Sequence, residues 1–148
     1  MWKLPLAERL EHWKRFRREI NQLTFEQALD QTARFWSRAP FVPFYLELNS
    51  PETWPDPWTL IAENYYCDLA RALGILYTIH LSEHTTHDLR LRVFKRQNTL
   101  YQYNLVWIDD GKYVLNLESE EVVNKKSIPE DLVHIKDYAG PELKLDNY

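Results

Sequence analysis

The chain has 148 residues, 45% of them hydrophobic, and a formal net charge of −4. That length fits one domain with a real core, the apolar fraction excludes an overall disordered chain, and the negative balance argues against a dedicated nucleic-acid binder. One cysteine excludes an internal disulfide and makes a reducing, cytoplasmic setting the expectation, while three glycines are too few for a phosphate-cradling loop.

No apolar run reaches the roughly 18 residues of a membrane span, and Glu8, Arg9 and Glu11 interrupt any signal-peptide core. Leu6, Leu10, Trp13, Arg17 and Ile20 recur at helical spacing, which predicts an amphipathic helix from about Pro5 to Asn21. Lys14, Arg15, Arg17 and Arg18 form a basic cluster on it, read as a solvated face or as a surface for an anionic partner. Thr24-Phe25-Glu26-Gln27 matches a capping box and opens a second helix that stops before Pro40.

Residues 40–55 change character. Pro40, Pro43, Pro51 and Pro55 break regular structure, while Phe41, Val42, Phe44, Tyr45, Leu46 and Leu48 supply apolar surface. The expectation is a packed strap rather than a linker. Asp56-Pro57 starts a short helix to about Glu63. Asn64 is then expected to cap a longer one, from about Tyr65 to Leu81, with Cys67 in its first turn. This helix is apolar nearly all round, the mark of a buried element. His80, His84 and His87 would share a face if it ran that far, but Ser82, Thr85 and Thr86 predict that it ends first, and no metal is assigned.

After Ser82 the period becomes two. Leu89, Leu91 and Val93 read as a half-buried strand, Tyr101 to Ile108 as a second, and Lys112 to Glu118 as a third beyond the Asp110-Gly111 turn. Glu121 to Val123 and Leu132 to Ile135 read as further short strands, and 139–148 as a loose tail. A three-residue loop at Asp109-Asp110-Gly111 would set Asn104 opposite Asn116, whereas a two-residue loop would set Asn116 opposite Leu105. The first register segregates polar from apolar residues better and is the one expected. The class is α+β: a single domain of an N-terminal helical pair (1–39), the strap (40–55), a core (56–138) whose cysteine helix lies on three to five antiparallel strands, and the tail.

Helices, a cysteine at a helix start and an antiparallel meander, in that order, resemble the transglutaminase-like branch of the papain-like cysteine proteins. The resemblance rests on Trp54-Pro55-Asp56-Pro57, on Cys67-Asp68-Leu69-Ala70 with Ala72-Leu73-Gly74-Ile75, and on the strands around Tyr103-Asn104 and Asn116. It implies a cysteine–histidine–aspartate triad, yet the histidine position falls on Asn104 (or Tyr103) and the aspartate position on Asn116. Neither residue type takes a thiol proton near neutral pH. The expectation is therefore a decayed site at Cys67, Asn104 and Asn116, without cofactor or small-molecule substrate, in a non-enzymatic structural or interaction protein. Compact domains of this look also occur among tailed-phage proteins, which adds the expectation of other protein subunits as partners and a virion as one location. Six tryptophans and nine tyrosines suit such docking. The alternative is a cysteine-dependent amide hydrolase or transferase using Cys67 with a non-standard base, for which His134 is the candidate able to return near Cys67.

Overall fold

The computed structural model describes residues 1–145. Four helices precede the sheet: α1 (Leu6–Ile20), α2 (Phe25–Ser37), α3 (Pro57–Glu63) and α4 (Asp68–His80). Five antiparallel strands follow, β1 (Leu89–Arg96), β2 (Gln102–Ile108), β3 (Tyr113–Leu115), β4 (Val122–Val123) and β5 (Leu132–Tyr138), in the order β4-β3-β2-β1-β5. The fold is α+β.

The expected caps form. Thr24 and Gln27 make a reciprocal capping box on α2, and the Asp56 carboxylate accepts the Thr59 N–H at 2.8 Å at the start of α3. The start of α4 differs from expectation. Asn64 adopts a left-handed conformation (φ 59°) and ends α3, and the backbone of Tyr66 bonds the strap, its N–H to Pro40 O and its carbonyl to Val42 N–H, both at 3.1 Å. Those bonds hold Tyr66 extended, so the helix begins at Asp68 and Cys67 becomes its N-cap residue.

Helix α4 is the axis of the core. Its Leu69, Leu73, Leu76, Tyr77 and Ile79 are buried among α1, α2 and the inner face of the sheet, where Leu91, Val93, Val106, Ile108 and Leu115 meet them. Three helices are pinned at one hydroxyl: Trp13 Nε1 and Trp36 Nε1 donate to Thr78 Oγ1 at 3.0 and 2.9 Å, and Thr78 donates to Gly74 O at 2.7 Å. Every hydrogen-bonding capacity of that hydroxyl is in use. Gly74 has its own steric reason, since a Cβ there would stand 2.5 Å from the Trp36 ring. On the outer face of the sheet, Phe94, Leu105, Trp107, Val114 and Leu132 form a second cluster.

Other expectations are revised. Phe41 and Phe44 of the strap are exposed, while Leu46 and Trp54 are buried. The tail is not loose over its described part: Gly140–Leu143 forms a 3-10 turn, and Leu143 and Leu145 join the core, while residues 146–148 lie outside the described residues. The hairpin takes the register in which Val106 pairs with Leu115 and Ile108 with Tyr113, so Asn116 does not face Asn104. This is the register of the two-residue alternative, the one that sets Asn116 opposite Leu105: the Lys112 N–H donates to Asp109 O at 3.3 Å across Asp110 and Gly111, both at positive φ (56° and 82°), and Asp109 ahead of them is left-handed as well (φ 50°).

Candidate functional site

The first residue of α4, Asp68, lies beneath the middle of β2. Strand β3 stops at Leu115, so β2 loses its neighbour there. Side chains replace the missing ladder. The backbone N–H of Asn104 donates to Asp68 Oδ2 at 3.2 Å, and Asn116 Nδ2 donates to Asn104 O at 2.9 Å. Asn104 Nδ2 reaches Asp68 Oδ2 at 3.1 Å, and Asn116 Nδ2 also approaches Asp68 O and Oδ1, both at 3.2 Å. Asn116 can do this because it adopts a left-handed conformation (φ 72°), which turns its amide back under the sheet although the register had sent it elsewhere. The two asparagines singled out from sequence thus meet, but on Asp68 rather than across a strand pair.

Burial pushes the Asp68 carboxyl up from its ordinary value, against the amide hydrogen bonds of Asn104 and Asn116 and the positive charge of Arg71, which all favour the anion. Arg71 donates to Ala39 O at 2.6 Å and lies over the Phe41 ring at 5.0 Å, tying the strap to α4.

Cys67 is 4% exposed, and its thiol makes no hydrogen bond among the described residues. Asn104 and Asn116 direct their amide N–H groups to Asp68 and to backbone oxygens, none to sulfur. His134 does not return to the cysteine. It contacts the outer-face Phe94 ring at 5.6 Å and pairs with Asp137 at 2.9 Å, and that carboxylate is also held bidentately by Arg92. Helix α4 ends at His80, which separates the three central histidines. His84 meets Ile20 O at 2.8 Å, and His87 pairs with Asp109 at 2.6 Å and stacks on Phe25 at 3.5 Å. Among the described residues no group of three histidine, cysteine or carboxylate side chains is placed to hold a metal ion.

Two concavities flank Asp68. A small cleft of about 110 Å³ is lined by Asp68, Arg71, Asn116, Ser37 and Glu120. A groove of about 250 Å³ is lined by Cys67, Asp68 and Asn104 within and by Phe41, Phe44 and Tyr101 at its lip. The basic cluster of α1 divides: Lys14, Arg15 and Arg18 are exposed, but Arg17 lies 4.3 Å over the Trp13 ring and 5.5 Å from that of Trp58.

Two polar side chains have roles that the sequence did not assign. Asp68 entered only as a residue of the motif after Cys67. Arg9 entered only as a charge near the N-terminus, yet it is buried and donates to Leu4 O at 2.7 Å and to Ile61 O and Ala62 O at 3.2 Å, closing the C-terminal carbonyls of α3. Among the described residues no helix is long and apolar enough to cross a membrane. No family model matches this chain, and no curated protein matches it in sequence.

Proposed function

We propose that this chain is a non-catalytic interaction module, built on a transglutaminase-like plan whose triad positions have become Cys67, Asn104 and Asn116, and that it serves as a subunit of a larger assembly such as a phage particle. The observation that carries the reading is that both asparagine amides are taken up by Asp68, leaving Cys67 buried with no base bonded to it. Nucleophilic chemistry at sulfur needs the thiolate and a group to take its proton. The aromatic content and the exposed Phe41, Phe44 and Tyr101 suit docking against protein.

The competing reading is a cysteine-dependent amide hydrolase or transferase. What favours it is that Cys67 and Asp68 line one groove, and that a carboxyl pushed up by burial suits acid–base work. Sedimentation separates the two. In its source, the chain and its Cys67→Ala variant are both expected in a particle much heavier than 17.9 kDa. A monomer that joins nothing, or assembly lost with the thiol alone, would sink the module reading.

A further inference from the structure

Strand β2 places Gln102 and Asn104 two residues apart on one face, and both line the groove beside Cys67. Asn104 is 3% exposed. Its Oδ1 and the Oε1 of Gln102 are both buried without a hydrogen-bond partner. Buried acceptors left open are uncommon, and two of them on residues that line one groove leave bonding capacity there for a donor from outside the chain. The lip of that groove is open and apolar: Phe41 is 55% exposed, Phe44 64%, Leu100 93% and Tyr101 64%. Exposed apolar side chains gathered around a concavity mark an interaction site.

We propose that this groove seats one tryptophan side chain of a partner protein, its ring against the lip and its indole N–H donated to the amide oxygens of Gln102 and Asn104. The proposal deepens the interaction-module reading and rests on it. The unpartnered groups are acceptors, and indole is the large apolar side chain that donates without presenting an acceptor. A tyrosine hydroxyl both donates and accepts, so it would need a donor from the groove as well as an acceptor. Lysine or arginine would carry a charge into apolar surroundings where the one carboxylate, Asp68, is already held by Asn104 and Asn116. At about 250 Å³ the groove suits one large side chain rather than a helix or a strand. Terminal amide torsions are broad, which leaves the Gln102 oxygen free to turn toward a seated ring, while the Asn104 amide is set by its bond to Asp68.

The test is amide NMR of the full chain titrated with N-acetyltryptophanamide and, separately, with the same compound methylated at the indole nitrogen. The expected result is shifts at Leu100, Tyr101 and Gln102, with the methylated compound about tenfold weaker, the ratio expected when a buried acceptor loses its donor. Phe44→Ala, at the exposed lip, should weaken the parent compound while leaving the rest of the spectrum in place. No shifts at the groove, or equal binding of both compounds, would overturn the proposal. If the ligand fails while the chain still sediments in its particle, the groove falls and the module reading stands. If the chain joins no particle, that reading falls by its own experiment.

Discussion

Asp68 is a carboxyl group under opposed influences. Desolvation favours its neutral form, whereas the amides of Asn104 and Asn116, Arg71 and the N-terminal end of α4 favour the anion; desolvation prevails, and the group is held above its ordinary value. The sign of the consequence follows by linkage. A carboxyl whose pKa is higher folded than unfolded binds its proton more tightly in the folded state, so its contribution to stability falls as pH rises from about 3.9 through the raised value. Urea unfolding of the wild type and of Asp68→Asn across pH 4 to 8 checks this: the wild type should lose stability relative to the variant as pH rises. A flat difference would mean that the hydrogen bonds balance burial, and a wild type that gains on the variant as pH rises would mean that they outweigh it. This residue was not legible in the sequence, because its environment comes from β2 and the segment after β3, 36 and 48 positions away.

Among the elements, the helices were the most legible, because their signals are local. The capping box at Thr24 and the Asp56-Pro57 start depend on neighbours a few residues off and formed as expected. The start of α4 was misjudged because Asn64 suits either end of a helix, and only the tertiary bonds from Tyr66 to the strap decide between them. The hairpin register was misjudged because polar segregation argued for one pairing, while consecutive left-handed residues at Asp110 and Gly111 produced a turn that set the other. The pinning of α1, α2 and α4 at Thr78 was invisible because both indole donors come from other helices, 65 and 42 positions away. Thr78→Val keeps the shape and leaves two buried indole N–H groups without an acceptor, a loss of about 2–4 kcal/mol. Chemical denaturation measures it; a loss below about 1 kcal/mol would mean that both indoles find other partners.

At the scale of the whole molecule, the helical layer on an antiparallel sheet was readable from the switch in hydrophobic period after Ser82. The use of the central residues was not, since sequence positions say which residue types are present but not where their hydrogen bonds go. Our account holds that the middle of the fold is a structural junction, with an apolar groove beside it and a covered thiol at its edge. The alkylation rate of Cys67 by iodoacetamide, native against unfolded, over pH 4 to 10, tests that most directly. The account predicts slow labelling of the native chain at every pH where it stays folded, restored on unfolding. Fast native labelling with a midpoint well below the ~8.5 of a free thiol would reveal an activated thiolate and contradict it.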